Sequence, residues 1–283
     1  MDIQTLRDIG KDIKLIALDL DGTLLNSQKT IDPRTMDAIR RARAAGITVT
    51  FSTGRAFATL GPYLKAAEVV GPVISCNGAE VIDAETGNEI RRAVIPEDEV
   101  ISFLNYASKY DIEFCEMATD ASYGFKGGNH ENHHRVYHTM GNPNYPFVYF
   151  RDGHFYEPGV KAVKINFGPM NEAQFKAMMD YIASRPALAV TTGSNIIYEL
   201  ICAGCSKGDG LRVACEHLGI TTAQAASFGD APNDLSSLEA AGLSVAMGNA
   251  DDIVKERCMY ITDSNDDNGI GNVIDKLILF DKQ

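Results

Sequence analysis

Residues 14–23 read K-L-I-A-L-D-L-D-G-T: Lys14, the apolar run Leu15-Ile16-Ala17-Leu18, then Asp19-Leu20-Asp21-Gly22-Thr23. A short apolar run bounded by a turn signal predicts a buried strand. Asp19 and Asp21 then stand at its carboxyl end, where open α/β sheets carry their chemistry. Side chains alternate along a strand, so two acids two residues apart can face the same side. Gly22 lets the chain turn away sharply. Two carboxylates on one face can hold a hard cation, and one of them can also act as a nucleophile.

Outward from this stretch, strand and helix alternate. Residues 33–45 predict a helix with Pro33 near its start and Gly46 at its end. The β-branched residues 47–52 predict a second strand. Residues 56–68 suggest a helix interrupted by Gly61-Pro62, and residues 72–75 a third buried strand, followed by Asn77-Gly78. Alternation of this kind implies a parallel sheet with right-handed crossovers. After about residue 84 the character changes. E-T-G-N-E at 85–89 is a turn between hairpin strands at 79–82 and 90–95, and residues 97–109 predict a helix. Residues 117–160 are irregular, 163–167 alternate like a half-exposed strand, 171–184 predict a helix and 188–201 a strand pair. From Lys207 the first pattern returns: helix 208–218, strand 225–228 ending in Gly229-Asp230, helix 234–241, strand 243–246 and helix 251–257. The predicted fold class is α/β: a Rossmann-like doubly wound parallel-sheet core, residues 1–84 and 202–283, interrupted by a smaller α+β domain, residues 85–201.

The chain has 283 residues, 45% of them hydrophobic and 23% charged, with a formal net charge of −12. That balance argues against nucleic acid or an anionic membrane as partner, and any phosphate site must be locally electropositive. The N-terminal residues contain no apolar signal region, and no run of about 18 apolar residues occurs, so no membrane-spanning helix is expected. Six scattered cysteines read as reduced thiols in cytoplasm. Cys202 and Cys205 have the spacing of a redox or zinc site, but without a second such pair they read as a strand-to-loop junction leading to Lys207. His130, His133, His134 and His138 could bind a transition metal; the favoured reading is a loop that shapes a substrate pocket, together with Tyr137, Asn142, Asn144 and Tyr145.

Four segments line up at successive strand ends: Asp19-Leu20-Asp21-Gly22-Thr23, Ser52-Thr53-Gly54-Arg55, Lys207, and Gly229-Asp230-Ala231-Pro232-Asn233-Asp234. In this order they resemble the haloacid dehalogenase superfamily of phosphohydrolases, in its Cof-type branch with an α/β cap inserted between the second and third motifs. The resemblance covers essentially the whole chain. It implies that Asp19 is nucleophile and metal ligand, and that Asp21 is general acid and base with a main-chain carbonyl on the metal. It assigns Asp230 to the metal; Leu20, Thr53, Gly54, Lys207 and Asn233 to phosphate; and Asp234 to a supporting role behind metal-bound water or Lys207. The cofactor implied is Mg2+, and the reaction is hydrolysis of small phosphorylated metabolites, sugar phosphates foremost, through an aspartyl-phosphate. A phosphomutase and a non-catalytic regulatory protein on the same fold are the alternatives. The implied partners are a small phosphorylated substrate and, at most, a second copy of the chain.

Overall fold

The structure, a computed structural model, describes residues 1–128, 131, 145–150, 159–192 and 196–281. Contacts divide the chain into two units, one of Met1–Gly54, Leu64–Arg91 and Ser206–Gln283, the other of Arg55–Tyr63 and Arg92–Cys205.

The first unit is built on a five-stranded, wholly parallel sheet, with strands in the order Tyr260–Ile261, Leu243–Ala246, Ala225–Gly229, Leu15–Leu18, Thr48–Phe51. Leu15, Ile16, Ala17 and Leu18 are completely buried, as a strand covered on both faces requires. The helix Pro33–Ala44 begins at Pro33, with the Asp32 side chain accepting from the Arg34 amide. The strand Pro72–Ser75 behaves differently from its expected place in the parallel sheet. It pairs antiparallel with Glu80–Asp83 in a separate three-stranded sheet that Glu89–Arg92 completes. Toward the parallel strands it keeps a parallel bridge from Ser52 to Ile74, and the Thr50 hydroxyl donates to the Pro72 carbonyl. The N-terminal helix Ile3–Lys11 and the helix Gly269–Val273 have no counterpart among the predicted elements. Gly61-Pro62 opens the helix Gly61–Ala66 instead of breaking one, consistent with the tolerance of proline in a first turn.

Among the described residues the second unit carries a six-stranded sheet in the order Leu188–Thr191, Tyr198–Cys202, Ala162–Phe167, Phe114–Ala118, Ser122–Gly124, Phe147–Tyr149. Phe103, Phe114, Ile165, Phe167, Met178 and Leu200 form its core with the helices Glu97–Lys109 and Glu172–Ala183. The strand Ala162–Phe167, expected to be half exposed, is buried at all six positions. Its polar members are accommodated: Lys164 is ion-paired with Glu199, and Asn166 donates to the Met117 sulfur. Tyr145, read from sequence as part of a recognition loop, is buried, with its hydroxyl 2.7 Å from the Ala118 carbonyl and 2.9 Å from that of Ala121. The histidines read with it lie outside the described residues.

Glu116 sits in register between Tyr123 and Ile165, completely buried, and neither of its carboxyl oxygens has a hydrogen-bond partner among the described residues. Burial, with a contribution from Asp120, pushes its carboxyl from 4.5 up to about 8. The folded protein therefore holds this proton more tightly than the unfolded chain. The associated stability is fully present below the unfolded value of 4.5 and is lost as pH rises to about 8, at about 1.4 kcal/mol per pH unit. Between pH 5 and 8.5, Glu116→Gln should flatten the decline of the melting temperature relative to the parent chain. Parallel curves would mean that Glu116 ionises without cost in the fold.

Candidate active site

In the parallel sheet Leu15–Leu18 has Thr48–Phe51 on one side and Ala225–Gly229 on the other, so its carboxyl end is the crevice where the strand order reverses. The Asp19 amide still donates to the Phe228 carbonyl at 3.2 Å. Beyond it the chain folds back, with the Leu25 amide donating to the Leu20 carbonyl at 2.8 Å. Gly22 makes this possible at φ +86°, and a Cβ there would lie 2.3 Å from Asp230 Oδ2. Only glycine lets the first motif approach the fourth so closely. The Thr23 hydroxyl then donates to Asp230 Oδ1 at 2.8 Å, and Asn249 Nδ2 to the Gly22 carbonyl at 2.8 Å.

Asp230 follows the strand Ala225–Gly229, and the tight turn Pro232–Asp234 brings Asp234 back beneath it. Asp234 Oδ2 accepts from the amides of Asp230 at 3.0 Å and Ala231 at 3.1 Å. Its Oδ1 accepts from Lys207 Nζ at 2.5 Å, and the same nitrogen donates to Asp19 Oδ1 at 2.7 Å. Lys207 opens the helix Lys207–His217, behind Ser206 as N-cap, with its side chain 1% exposed. A lysine so deeply buried requires charged partners, and it has two.

The electrostatics are lopsided. Burial pushes the Asp19 carboxyl well above the ordinary carboxylate range; Lys207 opposes this, while Asp234 and Asp230 add to it. Burial and Asp234 push Asp230 up to about 6. Burial alone would lower Lys207, but the carboxylates of Asp19 and Asp234 outweigh it and hold the ammonium above its usual value. Ligand atoms of Asp19, Asp230 and Asp234 all lie within 4.8 Å of one another, three acids against one ammonium. An all-oxygen donor set carrying an excess of negative charge suits a hard divalent cation, so the residues present fit Mg2+. Asp234 is the least available of the three, since both its oxygens already accept protein hydrogen bonds.

Asp19, Lys207, Asp230 and Asp234 thus come together as one cluster. The Asp21 carboxylate accepts from Lys29 Nζ at 2.8 Å in a partly exposed pair, and its charge also acts on Asp230. The Leu20 side chain is completely buried in the core. Thr53, 2% exposed, donates its amide to the Ile74 carbonyl at 2.9 Å, and Gly54 follows it. Asn233 Nδ2 donates to Asn77 Oδ1 at 3.1 Å. Sequence reading missed the contributions of Thr23, Lys29 and Asn77. The Asn77-Gly78 dipeptide after a buried strand was the one available signal for the last.

A sequence model of haloacid dehalogenase-like hydrolases matches residues 16–274. The chain is 30% identical to the 5-amino-6-(5-phospho-D-ribitylamino)uracil phosphatase YcsE of Bacillus subtilis, over 95% of this chain and 97% of that one. It is 29% identical to the pyridoxal phosphate phosphatase YbhA of Escherichia coli, over 92% and 97% respectively. Among solved structures, a haloacid dehalogenase-like hydrolase from B. subtilis superposes with a TM-score of 0.81 at 26% identity, covering 93% of this chain and 99% of that one.

Proposed function

The chain belongs to the haloacid dehalogenase-like hydrolases, and on that premise we propose that it is a Mg2+-dependent phosphatase of small phosphorylated metabolites, working through an aspartyl-phosphate on Asp19. The observation that carries this reading is the buried Lys207 ammonium on Asp19, beside Asp230, at the carboxyl end of the central strand. The named activities of YcsE and YbhA support a substrate class of phosphate monoesters on a small polyol or ring; within that class sugar phosphates are our first candidates. All six cysteines are free thiols, which supports a reducing, cytoplasmic setting. Among the described residues no helix is long and apolar enough to cross a membrane.

In this reading an Asp19 oxygen attacks phosphorus, the bond to the ester oxygen breaks, and Asp21 gives that oxygen its proton. Asp21 then takes a proton from the water that attacks the aspartyl-phosphate, and inorganic phosphate leaves. Lys207 holds Asp19 in place and sets a positive charge against the transferring group. Thr53, Gly54 and Asn233 donate to its oxygens, with the Leu20 main chain at the same site. Asp19, Asp230 and the Asp21 carbonyl would hold Mg2+, which when bound screens the dianion from the attacking carboxylate. The Lys29–Asp21 pair, both members more than a third exposed, is a weak tie that substrate entry can exchange.

The test is a screen of phosphate monoesters with Mg2+ and with excess chelator. Hydrolysis should fall by about 100-fold or more without the cation. Undiminished turnover in metal-stripped protein would overturn the metal dependence, and no hydrolysis of any ester would overturn the phosphatase reading. Asp21→Asn should slow alkyl phosphates by about 100-fold and aryl phosphates much less in single-turnover phosphorylation, because a good leaving group needs little protonation. Equal losses would remove Asp21 from the acid role.

A further inference from the structure

Three consecutive residues of the core unit adopt left-handed backbone: Cys76 at φ 46°, Asn77 at φ 52° and Gly78 at φ 86°. Glycine enters this region freely and asparagine tolerates it, but cysteine does not favour it, and such runs persist only where the surroundings enforce them. Here the surroundings are three of the four motif segments. The Asn77 amide donates to the Thr53 carbonyl at 3.0 Å. A Cβ on Gly78 would lie 2.0 Å from the carbonyl oxygen of Ser206, the residue before Lys207, so the turn packs directly on that segment. The Asn77 side chain, in a residue 2% exposed, accepts from Asn233 Nδ2 at 3.1 Å.

A primary amide can present either end. An anionic phosphate oxygen needs the nitrogen end, since a carbonyl oxygen there would repel it. Asn77 presents its Oδ1 to Asn233, and in that arrangement Asn233 turns its nitrogen toward Asn77. One N–H of that nitrogen satisfies Asn77, and the second is fixed in direction by the first. Asn233 Oδ1 is buried with no hydrogen-bond partner among the described residues, so the contact with Asn77 is the bond that orients this amide. The geometry points to Asn77 as a positioning residue of the phosphate site, acting through Asn233 and holding it in register with Thr53. This rests on the reading of Asn233 as a phosphate contact.

The test is a double-mutant cycle on the full chain with Mg2+ present. Asn77→Gly keeps the left-handed backbone and removes the amide; Asn233→Ala removes the donor. The readouts are KM and kcat for a small aryl phosphate, the inhibition constant of inorganic phosphate, and the melting temperature. Asn233→Ala should weaken phosphate inhibition about 10-fold and Asn77→Gly about 5-fold, with kcat changing less than KM, and the double variant should match Asn233→Ala within about 2-fold. Asn77→Ser, which also lacks the amide, gives the same comparison should the glycine variant not fold. Effects that multiply in the double variant, or a wild-type inhibition constant in Asn77→Gly beside an impaired Asn233→Ala, would overturn the role of Asn77. An unchanged inhibition constant in Asn233→Ala would overturn the reading of Asn233 itself, and with it this inference.

Discussion

Asp19→Asn is expected to lower kcat by about 1,000-fold or more while leaving the protein folded. The amide has nearly the shape of the carboxylate, and its oxygen can still accept from Lys207. It cannot form the aspartyl-phosphate, and it is a poorer cation ligand. Stability should be unchanged or higher, because burial already disfavours the charged form of Asp19 and two further acids crowd it. The two measurements are kcat under saturating substrate and the melting temperature in chelator. A variant that turns over at near parental rate would mean that the nucleophile lies elsewhere. A variant that fails to fold would mean that the charge of Asp19 is needed to hold Lys207.

Lys207→Met should be the more damaging substitution for the fold. It leaves Asp19 and Asp234 buried without their shared cation, and removing one partner from a buried ion cluster typically costs about 3–5 kcal/mol. It also removes the positive charge beside Asp19, with a further expected loss of about 100-fold or more in kcat. Adding Asp234→Asn to Lys207→Met should recover part of the stability and none of the turnover, which separates the two roles. Mg2+ should protect Lys207→Met against heat more than it protects the parent, since the cation then supplies the only positive charge in the cluster. Equal protection of both proteins would place the cation away from Asp19.

The core was legible where one physical rule dominates. Leu15–Leu18 is buried on both faces, so its sequence is continuously apolar and its end is marked by acids and a glycine. Lys207 was identified from its place in a set of motifs; nothing in its own sequence setting distinguishes a buried lysine from a solvated one. Pro72–Ser75 was read as one more parallel strand because burial of all four residues looks the same in either kind of sheet. Its antiparallel partner follows after a left-handed turn that no apolar periodicity encodes. Val163-Lys164-Ile165-Asn166-Phe167 alternates polar and apolar, which ordinarily marks a wet face. Here the lysine finds Glu199 on the neighbouring strand, and a partner thirty-odd positions away is invisible to a local pattern. Asp21 stands three residues beyond the strand Leu15–Leu18, and its pairing with Lys29 depends on a fold-back of the chain that sequence spacing alone leaves open.

The register of the central strand has a consequence for biogenesis. Leu15 pairs with Ala225 on one side and with Thr48 on the other, so the inserted residues 92–205 lie between the two halves of one ladder. During synthesis Leu15–Leu18 and Thr48–Phe51, the first two strands of the parallel sheet, leave the ribosome long before Ala225–Gly229 exists. The inserted unit, whose sheet pairs only with itself, is complete by then and can fold first. Until the last sixty residues emerge, the edge of Leu15–Leu18 that will receive Ala225–Gly229 is an unpaired apolar template, the kind of surface that chaperones occupy and that aggregates recruit. At roughly 5–20 residues per second this window lasts on the order of ten seconds or more. Truncated chains ending shortly before residue 225 should therefore be the most aggregation-prone products of this gene, and the cluster around Asp19 is among the last features of the molecule to be assembled.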